Sequence, residues 1–224
     1  MKDERKTTIL DLGVRAALEL AHDTPWNELT LSAIAKKAGL ELESFHGVAD
    51  KDTIADTVES YFDRAMSEGS FAADETPRTR LFDVIMMRFE AMEAHRPALL
   101  SLMKWRQTQP LRLMALISAR QASAEWALVC AGLDASEGLP KPLRATAIAW
   151  AIAQAERAWR KEESADLSRT MAKLDSELRK MEERAGWIKG RGKRKASTDE
   201  ADSAAEPKAG ETAPTDETRP EQAE

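Results

Sequence analysis

The side chains in this sequence best suited to a chemical task are hydrogen-bond donors clustered between positions 32 and 51. Ammonium, hydroxyl and imidazole groups donate to phosphate oxygens, and such contacts position a protein on a nucleic-acid backbone. We therefore predict a phosphate-contacting set of six residues: Ser32, Lys36, Lys37, Ser44, His46 and Lys51. His46 also has a simpler interpretation, as a surface or capping histidine.

Local spacing predicts the elements that must position these donors. Thr30 can cap a first short helix, which Gly39 ends. A second short helix follows over 41–46, and Asp50 can cap a third. A long amphipathic helix over 10–21 precedes them. Two short helices joined by a glycine turn are the outline of a helix-turn-helix, whose second helix lies in the major groove of DNA.

The charge of this N-terminal part, which we call the head, opposes that interpretation. Residues 1–62 contain seven Lys or Arg and twelve Asp or Glu, a net charge of −5. Affinity for DNA normally comes from cations that neutralise phosphates. Glu41 and Glu43 even open the second short helix. Two interpretations therefore stay open, a DNA-binding head and a helix-turn-helix retained only as a folding unit.

The run from Ala16 to Ile54 resembles the N-terminal domain of the TetR family. The resemblance implies an all-helical homodimer that binds DNA and has a ligand-binding C-terminal domain. Glu43-Ser44-Phe45 departs from the family pattern, in which a tyrosine contacts phosphate; phenylalanine keeps the packing role and loses that bond. The matching positions are the pair Ala16-Ala17, the block Leu31, Ile34, Ala35, Ala38, Gly39 and Leu40, and then Phe45 and Lys51.

Apolar helical segments follow the head and predict a bundle. Methionine and aromatic side chains on these helices can line a pocket for an apolar or lipid-like ligand. The alternative is that they simply form the core. The predicted pocket residues are Phe82, Met86, Phe89, Met103, Trp105, Trp126 and Trp150.

The last predicted helix carries a narrow heptad stripe that suits one partner surface. Leu178, Met181, Trp187 and Ile188 form its membrane or interface end, beside a basic run over 189–195. An amphipathic helix with a terminal tryptophan and nearby cations can lie on an anionic membrane surface. The alternative is a subunit-interface helix followed by a solvated basic linker.

A second, shorter resemblance covers this C-terminal part. It is similar to the TetR-fold accessory proteins of ubiquinone biosynthesis, which bind lipid, dock on a membrane and are thought not to read DNA. The resemblance implies a lipid-binding accessory protein as an alternative function. It rests on Trp159, Ser164, Asp166, Thr170, Leu174 and Asp175.

Composition bounds the remaining possibilities. We find no enzyme signature, because the three histidines are widely spaced and neither a nucleophile motif nor a phosphate-cradling glycine loop is present. We therefore expect no catalytic residue, metal or cofactor. The lone Cys130 is expected to be a buried thiol. The sequence shows neither a signal peptide nor a membrane-spanning run, which predicts a cytoplasmic protein, with peripheral membrane association as an option.

These observations predict an all-α, TetR-like protein in three parts. They are a helix-turn-helix domain over 1–62, a helical ligand-binding and dimerisation domain over 63–190, and a basic then acidic disordered tail over 191–224. The first function predicted is a ligand-responsive, DNA-binding transcriptional regulator. Its candidate partners are a second copy, DNA and an apolar ligand; the anionic membrane surface belongs to the alternative.

Overall fold

The computed structural model describes residues 2–69, 74–135 and 139–184, and all regular structure within these ranges is helical. The predicted all-α class is confirmed. Short 3-10 helices cover Trp26–Glu28, Leu42–Phe45 and Arg64–Glu68. The α-helices of the described ranges are α1 (Lys2–Leu20), α2 (Leu31–Ala38), α3 (Lys51–Asp63), α4 (Pro77–Glu93), α5 (Arg96–Gln107), α6 (Pro110–Cys130), α7 (Lys141–Trp159) and α8 (168–184).

The helix ends in the head follow the predicted caps. The Thr30 hydroxyl accepts a hydrogen bond of 3.2 Å from the Ala33 amide at the start of α2. The Asp50 carboxylate accepts one of 2.7 Å from the Thr53 amide at the start of α3. Gly39 ends α2 with φ of 68°, a left-handed conformation that favours glycine because a Cβ would be strained there. Short-range sequence signals therefore determined these ends.

The second short helix is present and slightly shorter than predicted. The chain forms a 3-10 helix over Leu42–Phe45 where the sequence predicts a short helix over 41–46. Phe45 is buried, and it packs so close to α1 that a Cβ on Gly13 would lie 3.1 Å from its ring. Because Gly13 has no side chain, the Phe45 ring can pack directly against α1, and this contact holds the short helix in place.

The C-terminal helices begin where proline predicted. Pro97 and Pro110 lie in the first turns of α5 and α6, where a missing amide hydrogen costs nothing. The apolar helix α7 leaves Leu143 and Trp150 57% and 58% exposed in the single chain. Cys130 is half-buried rather than buried as predicted. Both observations arise because α6 and α7 keep one face toward solvent in the single chain.

Residues Met1–Glu183 form one compact unit. The domain boundary predicted after residue 62 stays a prediction, and the tail predicted over 191–224 lies outside the described residues. None of the described helices is both long and apolar enough to cross a membrane.

Candidate nucleic-acid interface

Three of the predicted phosphate contacts lie exposed on α2. Ser32 and Lys36 are four residues apart and therefore share one face of the helix. Lys37 instead forms an ion pair within the head, because its ammonium lies 3.0 Å from the Glu19 carboxylate of α1. Hydrogen bonding to Lys37, with its charge, lowers the pKa of Glu19. Ser32 and Lys36 therefore face outward, whereas Lys37 links α2 to α1 through its ion pair with Glu19.

Lys51 does not point outward as the sequence suggested. Its ammonium donates to the Leu29 carbonyl at 2.7 Å and to the Asn27 carbonyl at 3.1 Å. The same nitrogen lies 5.8 Å from the ring centroid of Trp105. Burial lowers the pKa of Lys51. The prediction that Lys51 contacts phosphate is therefore replaced by a structural role, in which it holds the segment before α2 against α3.

An open groove of about 820 Å³ brings two of the predicted contacts together. It lies between the start of α2, the Leu42–Phe45 helix and the start of α3. Ser32 and His46 both line it, whereas Ser44 is half-buried and is not among its lining residues. The lining residues are Leu31, Ser32, Leu42, Glu43, Phe45, His46, Gly47, Val48, Ala49, Asp50 and Thr53. The groove is thus mainly apolar, with polar groups at its rim.

The acidic residues noted in the sequence lie at this same face. Glu41 and Glu43 are exposed, and neither carboxylate has an ion pair or hydrogen bond within the described ranges. Lys36 is likewise exposed, with no ion-pair partner among the residues that the structure describes. This part of the head therefore exposes both a cation on α2 and carboxylates at the start of the next helix, rather than a uniformly basic surface.

A buried ion cluster joins the head to the bundle. Arg88 of α4 donates through Nε to Asp63 of α3 at 2.8 Å, and it also contacts Glu59. Arg106 of α5 donates to the other oxygen of Glu59 at 2.7 Å. Ser123 of α6 donates to Asp63 at 2.6 Å. Two carboxylates of α3 are thus held by three separate helices.

The pKa values of the two carboxylates shift in opposite directions. Burial tends to raise the pKa of Glu59, but Arg88 and Arg106 overcome it and lower the value to about 2. Burial dominates at Asp63 and raises its pKa against the opposing effects of Arg88 and Ser123. This cluster is absent from the residues that the sequence predicts to be functional. The signal was Arg88 on the apolar face of α4, since a charge in such a stripe is normally buried with a partner.

Two solved structures are similar to this chain over most of their length. The TetR transcriptional regulator from Nitrosomonas europaea superposes with a TM-score of 0.62 at 19% identity, covering 80% of this chain and 98% of that one. A TetR transcriptional regulator from Rhodococcus sp. RHA1 gives 0.55 at 15% identity, covering 75% and 93%. The chain has a TetR-like fold. No protein-family model and no curated protein matches the sequence.

The predicted pocket residues do not gather around one space in this TetR-like fold. Met86, Phe89 and Met103 are buried in the core, and Phe82 is half-buried beside it. Trp105 packs against Trp26, with ring centroids 6.4 Å apart. The remaining two lie at the surface: Trp126 is 41% exposed and donates to the Asp63 carbonyl, and Trp150 is 58% exposed. The seven residues therefore divide into core, head contact and surface.

The last TetR-like helix, α8, turns its predicted partner stripe inward. Leu178 is buried and Met181 packs against the same core. These two residues therefore pack within the chain itself, whereas Met171 of the same helix is 40% exposed. Trp187 and Ile188 lie outside the described residues. The resemblance to ubiquinone accessory proteins stays a prediction.

The TetR-like unit offers little for metal chemistry. Among the described residues, no three His, Cys, Asp or Glu side chains group closely enough to hold a metal ion. The three histidines are separated by the fold as well as by the sequence: His46 lies at the groove, whereas His95 packs near Phe62, with ring centroids 5.8 Å apart.

Proposed function

We propose that this protein is a cytoplasmic transcriptional regulator that binds DNA through its head. The observation that carries the proposal is the open groove between α2 and the Leu42–Phe45 helix, which Ser32 and His46 both line, with Lys36 exposed one turn further along α2. The two similar structures are described as TetR transcriptional regulators, which supports the same function.

The start of α2 is the phosphate-binding part of this face. First-turn amides of a helix have no intrahelical partner, and they bind anions together with the helix dipole. The Ser32 hydroxyl lies in that turn, and Lys36 adds a cation one turn later on the same side. His46 lines the same groove from the residue that follows the Leu42–Phe45 helix. We assign phosphate contact to these three residues, and not to Lys37 or Lys51.

A second copy of the chain is the partner that we propose for α6 and α7. These two helices pack on each other and leave a band of large apolar side chains in solvent. Met114, Ile117, Leu143 and Trp150 are 57–64% exposed. Such a band is typical of a subunit interface rather than of a free surface. Covering it with a second copy would give a homodimer with two heads.

Ligand response is the finer part of the proposal. An apolar ligand that displaced side chains near Met86, Phe89 or Met103 would move α4 or α5. Arg88 and Arg106 extend from those helices to the two carboxylates of α3. Ligand and DNA would then be linked through one conformational equilibrium, in which each changes the affinity of the other by the same factor.

The experiment is a DNA-binding titration on the full chain, with DNA from the region upstream of its own gene as the probe. We expect specific binding that weakens steeply as salt rises. Lys36→Ala should weaken binding to all sequences and reduce the salt slope by about one per protomer. Lys104→Ala, which removes an exposed cation from α5, is the matched control and should change neither.

The same titration can also refute the proposed DNA-binding function. Weak binding at low salt only, without preference for the upstream DNA, would refute the regulator. Flotation of the chain with anionic liposomes that depends on Trp187 would then support the lipid-binding alternative.

A further inference from the structure

Leu42 and Glu43 are the unexplained residues of the DNA-facing surface. Leu42 is 50% exposed although it is apolar, and Glu43 is exposed, with no ion-pair partner in the described part of the chain. Neither residue suits a phosphate: leucine has no donor, and a carboxylate is repelled by the DNA backbone. Their chemistry instead suits the edges of bases.

The short helix sets the direction of both side chains. A 3-10 helix has three residues per turn, so residues three apart lie on the same side. Phe45, buried against Gly13 of α1, therefore fixes the rotation of the helix; Leu42 lies on the same side one turn earlier, and it is 50% exposed where it lines the groove. Glu43 shares its side with His46, and both line the groove. A phosphate contact by His46 would thus place Glu43 next to the base pairs.

A carboxylate can only accept hydrogen bonds, and this restricts the bases that it can read. In the major groove the donors are the N4 amino group of cytosine and the N6 amino group of adenine. Adenine also presents N7, an acceptor that repels the second carboxylate oxygen. Guanine and thymine present acceptors themselves. Cytosine is therefore the base that fits Glu43 best.

Leucine reads a different feature of the same groove. The C5-methyl group of thymine is the apolar group exposed on a major-groove edge, and apolar side chains recognise it by contact. Leu42 and Glu43 are consecutive, so their side chains diverge by about 120° on the 3-10 helix and would contact different base pairs rather than one.

We propose that Glu43 reads cytosine through its N4 amino group and that Leu42 contacts the methyl group of a neighbouring thymine. The inference rests on the proposed DNA-binding function and specifies the base composition of its target. The same carboxylate disfavours other sequences, because it is repelled by acceptor-bearing base edges, and its repulsion by phosphates lowers the affinity for every sequence. A head of net charge −5 would thus have a lower general affinity for DNA, but it would discriminate more strongly between sequences.

The test is selection of bound sequences from a random DNA pool by the full chain and by Glu43→Gln. The wild-type chain should enrich a site with one invariant cytosine, and replacing that base by thymine should weaken binding about 10- to 100-fold. Glutamine prefers adenine, so Glu43→Gln should change the selected base at that position to adenine. Glu28→Gln, an exposed glutamate outside the groove, is the control and should select the wild-type sequence.

A second measurement changes the DNA instead of Glu43. In the wild-type site, 2-pyrimidinone in place of the cytosine base removes only the amino group, and uracil in place of thymine removes only the methyl group. Each replacement should weaken binding by the wild-type chain, and uracil should have no effect on binding by Leu42→Ala. If a site is selected but neither the Glu43 variant nor the modified bases alter binding, the inference is overturned and the regulator stands. If no site is selected, both fail.

Discussion

Arg88 Nε and the Asp63 carboxylate lie 2.8 Å apart in the interior, where α4 meets the end of α3. The Arg88 side chain is 1% exposed and the Asp63 side chain 12%. Burying one such charge alone costs several kcal/mol, so each charge is tolerated in the core only while its partners are present. The first two predictions concern this cluster.

Removing Arg88 should destabilise the fold severely. Arg88→Met leaves Glu59 and Asp63 buried with fewer partners, and breaking a buried pair in this way costs about 3–5 kcal/mol. The free energy of unfolding from urea titration measures the effect. Arg64→Met is the matched control, since the Arg64–Asp11 pair is 51% and 31% exposed and such pairs contribute about 0–1 kcal/mol. Equal losses in the two variants would show that the cluster does not hold the core.

Stability should fall in acid because of Glu59. Its pKa is about 2 in the folded chain against 4.5 as the ordinary value. The folded state therefore binds this proton less readily than the unfolded state. The contribution is complete above pH 4.5 and is lost as the pH falls toward about 2.

Urea titrations between pH 2 and pH 6 check this dependence. Glu59→Gln should remove the Glu59 contribution and flatten the curve. Asp63→Asn should steepen it, because the raised pKa of Asp63 acts with the opposite sign. Glu41→Gln is the control, since Glu41 is exposed and has no described partner. A Glu59→Gln curve parallel to the wild type would contradict the assignment.

Substitutions of Lys51 and Lys36 should affect different properties: stability for Lys51 and DNA binding for Lys36. Lys51→Met leaves the Leu29 and Asn27 carbonyls without their donor, at a cost of about 1–3 kcal/mol. It should not change the dependence of DNA affinity on salt. Lys36→Met should do the reverse, with normal stability and a shallower salt slope. A shallower salt slope in a stable Lys51→Met protein would restore the original assignment of Lys51 to phosphate.

The apolar band should control the oligomeric state. Trp150→Glu places a charge where we propose that the second copy packs, and it should weaken dimerisation about 30-fold or more. Sedimentation equilibrium over a range of concentrations measures the change. Leu42→Glu introduces the same charge at an exposed leucine of the head, and it should leave the dimer intact. Dimers of unchanged affinity in Trp150→Glu would place the interface elsewhere.

Local signals predicted the helices well, because each depends on residues close in sequence. The caps at Thr30 and Asp50, the glycine at 39 and the prolines at 97 and 110 all act within one helical turn. The TetR-like fold followed from their arrangement together with the family resemblance.

The candidate site was less predictable, because side-chain direction depends on distant partners. Lys51 is drawn inward by carbonyls 22 and 24 residues away, and Arg88 by carboxylates 25 and 29 residues away. Trp150 is predicted to line a pocket because helical spacing does not distinguish a core face from a face exposed to solvent in the single chain.

The ion cluster also makes the junction between head and bundle stiff. A head fastened to α4, α5 and α6 by buried charges cannot swivel as it would on a flexible linker. In a dimer, the distance between the two heads would then be set by the bundle. Inserting a single base pair between the two halves of the target would turn one half by roughly 35° about the DNA axis. Such a protein would distinguish targets by the spacing between their two halves as well as by their base sequence.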